Sequence, residues 1–250
     1  MAGHSKWSKV KRFKGAIDAK RGKIFSKLAK EITIAAKTGG DPNGNPRLRS
    51  AIQAARAQSM PNDNIERAIK RGTGEGKDAQ HFDEIVYEGY GPGGVAIIVE
   101  AATDNKNRTG AEIRSVFTKH NGNLASSGSV SYMFHRKGQI TVPRSSIDED
   151  RILELALEAG AEELTTDEDQ YLIITSHDQL YAVAEALKNA GVTTDGQKFT
   201  FIPDTTVPVA DENVARQVLR LCDALEEDDD VQNVYSNLEI PDEMLAVLPA

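Results

Sequence analysis

Residues 139–202 read QITVPRSSIDEDRILELALEAGAEELTTDEDQYLIITSHDQLYAVAEALKNAGVTTDGQKFTFI. Gln139–Val142, Tyr171–Thr175 and Lys198–Ile202 are short, apolar and rich in β-branched or aromatic residues, as strands are. Between them Ile152, Leu153, Ala156 and Leu157, then Leu180, Val183, Ala184 and Leu187, recur at three- and four-residue spacings. Each set falls on one face of a helix. A further short strand near Glu163–Thr166 completes β-α-β-β-α-β, the ferredoxin-like order. The spacing thus predicts one α/β domain over 137–203.

On its N-terminal side, Glu84–Glu88 and Val95–Ala101 read as strands joined by the glycine-rich turn Gly89–Gly94. A helix should follow, with a capping box at Thr109 and Glu112, apolar positions Ile113, Val116 and Phe117, and a stop at Gly122. Ser129–Phe134 alternates as another strand. On the C-terminal side come Thr205–Val209, a helix from Asp211 to about Glu226 and a strand Val231–Leu238. That material has no sheet of its own, so the economical solution returns it to the segment before the insertion. The expectation is a second ferredoxin-like α/β domain formed by 79–136 and 204–250, with 137–203 inserted into it.

Residues 1–78 read as helices. A basic segment Gly3–Gly15 leads into a helix from about Asp18 to Lys37, closed by Gly39-Gly40. Ile24, Phe25, Leu28, Ile32 and Ala35 share one face, and Lys20, Lys23, Lys27, Lys30 and Lys37 share the other. A second helix starts near Asn45-Pro46 and a third is bounded by Pro61 and Gly72. Gly72–Lys77 has the composition of a flexible linker. The fold class expected is α+β, with a three-helix domain followed by two α/β domains.

The net charge of −8 conceals an asymmetry. Residues 1–78 carry 18 Lys+Arg against 7 Asp+Glu, a net of +11, while the remainder carries 12 against 31, a net of −19. A basic head on an acidic body is expected where one surface meets phosphate and the rest must not. Between Ser5 and Lys30 lie Lys6, Lys9, Lys11, Arg12, Lys14, Lys20, Arg21, Lys23, Lys27 and Lys30, against Asp18 alone, with Trp7 and Phe13 interleaved. Such an array can neutralise several phosphates while a ring stacks on an unpaired base. Trp7 packing on the first helix is the alternative. Arg47 and Arg49 extend the basic set. The lysines would supply affinity without base specificity.

Other motifs have plainer readings. Gly89–Gly94 matches G-x-G-x-x-G, but strand signals on both sides and Pro92 point to a turn, with a backbone-lined partner contact as the alternative. Gly74-Glu75-Gly76-Lys77 lacks the first glycine and the final Ser/Thr of a phosphate loop. The five histidines show no metal-ligand spacing, and no motif marks a nucleophile. No catalytic residue, metal or cofactor is therefore expected. Cys222 cannot form an internal disulfide, and it shares a helix face with Val214, Val218 and Leu225, which suits a core position in a reducing cytoplasm. No apolar stretch approaches a membrane span, and the basic N-terminus has no apolar segment behind it, so neither membrane nor secretory signal is expected. The five acids Glu226–Asp230 read as a solvated helix end, but acids there oppose the helix dipole, so docking against a basic surface is the alternative.

Met1-Ala2-Gly3-His4-Ser5-Lys6-Trp7 and Asp18-Ala19-Lys20-Arg21-Gly22-Lys23-Ile24-Phe25 resemble the YebC/PmpR family. So do Asn45–Arg49, Tyr87–Gly94, Thr103–Thr109, Gly122–Leu124 and Gly128–Val130. Val10-Lys11-Arg12-Phe13 departs from the family's usual stretch but keeps its charge. The resemblance implies a three-domain cytoplasmic protein, a DNA-binding transcriptional regulator, with relatives tied to translation and the ribosome. The partners it implies are promoter DNA, or ribosomal RNA and the ribosome; the acidic body on its own account suggests a protein partner, and a protein-interaction adaptor is the alternative reading. No small-molecule substrate is expected.

Overall fold

A computed structural model describes residues 21–75 and 81–245. Three helices open it: α1 (Arg21–Ala36), α2 (Pro46–Ala57) and α3 (Asn62–Thr73). Ile32, Ala35 and Ala36 of α1 meet Leu48, Ala51, Ile52 and Ala55 of α2 and Ile65 and Ala68 of α3 in one small core. Ile24, expected on that face, lies at the surface instead. Asn45 is buried at the α1–α2 junction. Its Oδ1 accepts the Leu48 N–H, and its Nδ2 donates to the carbonyls of Ala35 and Gly39 and to Thr38 Oγ1. One side chain thus caps the start of α2 and satisfies the end of α1.

Gly72 is not the helix stop that its composition suggested. It lies inside α3, and the chain leaves the helix at Gly74 in the left-handed region. A Cβ at Gly72 would stand 2.2 Å from the Thr33 carbonyl oxygen and 2.7 Å from Ala36 Cβ, so glycine is what lets α3 approach α1 closely.

The chain then divides into two compact units, 1–134 with 203–250, and 135–202. In the first unit, β1 (Asp83–Tyr90) and β2 (Ala96–Thr103) pair antiparallel from Asp83↔Thr103 to Tyr90↔Ala96. They are joined by a tight turn over Pro92–Gly94 in which Gly91 N–H donates to the Val95 carbonyl. Next come α4 (Lys106–Lys119) and β3 (Asn123–Leu124), and after the second unit β8 (Val207–Pro208), α7 (Glu212–Glu226), β9 (Val231–Ser236), β10 (Leu238–Glu239) and α8 (Asp242–Leu245). The sheet order is β3-β1-β2-β9, with β9 antiparallel to β2, and β8 pairs with β10. Ile97, Val99 and Ala101 alternate along β2 into a core with Ile113 and Phe117 of α4 and Val218, Leu221, Cys222 and Leu225 of α7.

Two expectations here are corrected. α4 starts at Asn105, whose side chain accepts the Arg108 N–H, so Thr109 is an interior helix residue and not a cap. Ser129–Phe134 is not a strand: Ser131–Met133 form a 3-10 turn, and the strand begins only at Phe134. The N–H groups of Gly128, Val130 and Ser131 point at the Glu88 carboxylate, which removes them from any ladder.

The second unit runs β4 (Phe134–Pro143), α5 (Glu149–Glu158), β5 (Glu163–Thr166), β6 (Gln170–Ser176), α6 (Leu180–Asn189) and β7 (Gly196–Pro203). Its sheet order is β5-β6-β4-β7, and Ile140, Val142, Ile152, Tyr171, Ile173, Leu180, Val183 and Leu187 form its core. The element order and the sheet order are those of a ferredoxin-like domain. Leu153 and Leu157, both expected on the buried face of α5, are exposed.

Candidate nucleic-acid interface

The basic residues of α1 are placed by its amphipathic pattern. With Ile32 and Ala35 turned into the head, the lysines three and four residues apart must line the opposite side. That side meets the C-terminal end of α7. Lys23 Nζ donates to the Glu227 carbonyl oxygen at 2.8 Å, and Lys27 Nζ to that of Glu226 at 2.7 Å. Lys30 Nζ donates to the Asp229 carbonyl at 2.8 Å and to Asp230 Oδ1 at 2.6 Å. A helix C-terminus presents unpaired carbonyls and the negative end of its dipole, so cations belong there. Of the two readings of Glu226–Asp230, docking against a basic surface is the arrangement observed.

Asp230 is the centre of this contact. Its Oδ2 accepts from Arg108 Nη2 at 2.6 Å, Thr109 Oγ1 at 2.6 Å and Thr103 Oγ1 at 3.0 Å. Its backbone carbonyl accepts the Ala102 N–H. Burial alone would raise the Asp230 carboxyl, but hydrogen bonds from Lys30, Thr109 and Arg108 outweigh it and hold the group well below the ordinary carboxylate range. Carboxylate oxygens of Glu112, Asp228 and Asp230 lie within 4.8 Å of one another. The chain's own cations and hydroxyls already fill the Asp230 oxygens.

Two further contacts tie the head to the sheet. Lys37 Nζ donates to the Phe82 carbonyl. Arg47 bridges Glu31, with Nε to Oε1 at 2.9 Å, and Glu84, with Nη2 to Oε1 at 2.6 Å. Burial works against the Arg47 charge, and the bonds to Glu84 and Glu31 more than restore it, so its guanidinium is held charged.

The expected site residues therefore fall into three groups. Lys6, Trp7, Lys9, Lys11, Arg12, Lys14 and Lys20 lie outside the described residues, and Arg21 opens α1. Lys23, Lys27, Lys30 and Arg47 are engaged by the chain's own acids and carbonyls, for the physical reason that made them phosphate candidates. Arg49 is half-buried on α2, in a region where Arg56, Arg67 and Lys70 are exposed and Arg71 is half-buried. By helical geometry Arg67, Lys70 and Arg71 share the side of α3 turned away from Ile65 and Ala68.

Sequence reasoning passed over Arg67, Lys70 and Arg71 because they are diluted by Asp63 and Glu66 on the same helix. It also missed Glu88 as an organiser. That carboxylate is buried in β1 and fixes the 125–131 loop through three backbone N–H bonds of 2.7–2.8 Å. Burial raises its pKa, and the bonds from those N–H groups lower it by more, for a net fall.

Two family models match: the TACO1/YebC N-terminal domain over residues 5–75, and the TACO1/YebC second and third domain over 82–238. A probable transcriptional regulatory protein of Chlorobaculum tepidum is 57% identical over 250 residues, covering 99% of each chain. Another from Desulfotalea psychrophila is 54% identical, again over 99% of each. A crystal structure of a conserved hypothetical protein from Aquifex aeolicus has a TM-score of 0.84 and 50% identity, covering 91% of this chain and 93% of its own. It shares the α+β architecture with a helical N-terminal region. With both models matched and full-length relatives above half identity, the chain belongs to the TACO1/YebC family.

Proposed function

We propose that this chain is a nucleic-acid-binding regulator of gene expression that works by contact and not by catalysis, in the cytoplasm. The observation that carries the reading is the charge division, +11 on residues 1–78 against −19 on the rest. Exposed Arg56, Arg67 and Lys70 remain on the head beside the pairs made inside the chain. Lys6, Lys9, Lys11, Arg12, Lys14 and Lys20 supply most of the phosphate contacts in this reading, with Arg49 and Arg71 beside them. The names of the relatives, probable transcriptional regulatory proteins, support a regulatory role.

Binding of RNA, including ribosomal RNA in translation, is favoured by one feature. α1, the most lysine-rich helix, lies against α2 and α3 on one side and the α7 end on the other, which disfavours its entering a major groove. Contacts made by lysine alone read backbone and not sequence. Crosslinking in cells followed by sequencing of both bound DNA and bound RNA decides between the targets. In solution, about five neutralised phosphates give a log–log salt slope of about −3.5 on single strands and −4.5 on duplex DNA. A slope near zero on both would leave only an adaptor that binds protein through its acidic domains.

A further inference from the structure

Among the described residues, the buried apolar cluster shared by the helical head and the α/β part of the first unit is small: Ile34, Phe82 and Ala102. The head's core and the core beneath the sheet share no residue. The remaining contacts named above are polar: Lys23, Lys27 and Lys30 on the α7 end, Lys37 on Phe82, and Arg47 on Glu84. Such an interface is sensitive to salt and to competing charge, because apolar area supplies most of the free energy of association in water.

The lysine stripe sees a short row of oxygens there, the carbonyls of Glu226, Glu227 and Asp229, inside a run of five carboxylates. A nucleic-acid backbone offers a comparable row of acceptor oxygens in a field of negative charge, with the charge on the oxygens themselves. The two ends of the stripe are not held equally. Lys30 and Asp230 are 15% and 9% exposed, and Arg108 and Thr109 lock the carboxylate from its other side. Lys23 is exposed, and its partner Glu227 is exposed too. Lys27, one turn on, is half-buried.

We propose that Glu226–Asp230 is an intramolecular phosphate mimic that masks Lys23 and Lys27, and that a bound polyanion displaces it while Lys30–Asp230 stays as the pivot. The inference rests on the proposed nucleic-acid function and adds its regulation. Contact with the head's other cations brings phosphate close to Lys23 and Lys27, and these then exchange one row of oxygens for another. Lysine suits the exchange, since it is a flexible point charge with no fixed bidentate geometry to lose.

The test uses the full chain and anisotropy of a labelled oligouridylate of about 20 nucleotides. Glu227→Gln/Asp229→Asn keeps the backbone carbonyls but removes two of the carboxylate charges whose field holds the lysines there; both residues are exposed, so the thermal transition should stay in place. This variant should bind about five- to tenfold tighter at low salt, with a log–log slope steeper by about 1.4, which is two phosphates at about 0.7 each. Glu154→Gln/Glu158→Gln makes the same charge change at exposed positions of α5 and should gain less than about twofold. Adding Lys23→Gln/Lys27→Gln to the first variant should cancel its gain. Masking is overturned if the first variant matches the parent in affinity and slope, or if its gain survives loss of the two lysines. If neither binds oligouridylate or duplex DNA, the proposed function falls as well. If both bind equally, only the masking falls.

Discussion

Asp230 joins side chains from three elements: Lys30 of α1, Thr103 at the end of β2, and Arg108 and Thr109 of α4. Removing one partner of a buried pair leaves an uncompensated charge, which costs more than the pair contributes when intact. Asp230→Ala should therefore destabilise the protein by about 3 kcal/mol, measured by urea denaturation. Glu227→Gln, at an exposed position, should stay within about 0.5 kcal/mol. Acid should act through the same residue. The folded-state pKa of Asp230 lies below its ordinary 3.8 and that of Glu88 below its ordinary 4.5, so the unfolded state binds protons first. Their contribution is present above about pH 5 and declines as pH falls through 4 and below. In Asp230→Asn the acid limb of a stability–pH curve should be shallower, and an unchanged limb would remove Asp230 from this account. Trp7, the only tryptophan, gives a separate check. Stacking on an unpaired base is worth about 1–3 kcal/mol, so indole emission should quench more with single-stranded RNA than with duplex DNA of equal charge. Emission that starts blue-shifted and stays unchanged would place the ring against the protein.

At the scale of elements, two glycines inside helices should respond oppositely to alanine. In α3, Gly72→Ala gains about 1 kcal/mol of helix propensity but drives a Cβ to 2.2 Å from a backbone oxygen of α1. Overpacking of that kind costs about 1–3 kcal/mol and backbone cannot rotate away, so the net effect should be a lower melting temperature. In α4, a Cβ at Gly110 meets the Tyr87 hydroxyl at 3.6 Å and its ring at 3.7 Å, ordinary contact, and Gly110→Ala should raise stability by about 0.5–1 kcal/mol. Equal shifts in the two variants would show that the α1–α3 contact yields. Helix and strand periods were legible along most of the chain because each depends on local alternation alone. The strand expected at Ser129–Phe134 failed because Glu88, some forty residues away, captures its N–H groups. The cap expected at Thr109 failed because Asn105 caps the helix four residues earlier, which leaves the Thr109 hydroxyl inside the helix and free to meet Asp230.

At the scale of the molecule, the 135–202 unit has its own sheet and core, and the chain enters and leaves it at neighbouring points, where Asp204 N–H donates to the Met133 carbonyl at 2.9 Å. Residues 135–202 expressed alone should melt cooperatively, and a chain with that segment replaced by a short glycine linker should retain the far-UV signature of the rest. Loss of folding in both pieces would mean that the division by contacts does not reflect separate stability. The amino-acid sequence by itself determined most of the order of elements, the larger part of the apolar face of the helices (Ile24, Leu153 and Leu157 excepted), the β-α-β-β-α-β pattern of 137–203 and the opposed charges of head and body. All of these are carried by composition and short-range period. What the lysines face was decided only by the tertiary structure. A lysine stripe is suited both to phosphate and to a row of carbonyls and carboxylates at a helix end, because both present negatively polarised or charged oxygens that accept its N–H groups. Only the folding of α7 brings Glu226–Asp230 next to Lys23, Lys27 and Lys30 across some two hundred residues, and no local pattern encodes that meeting.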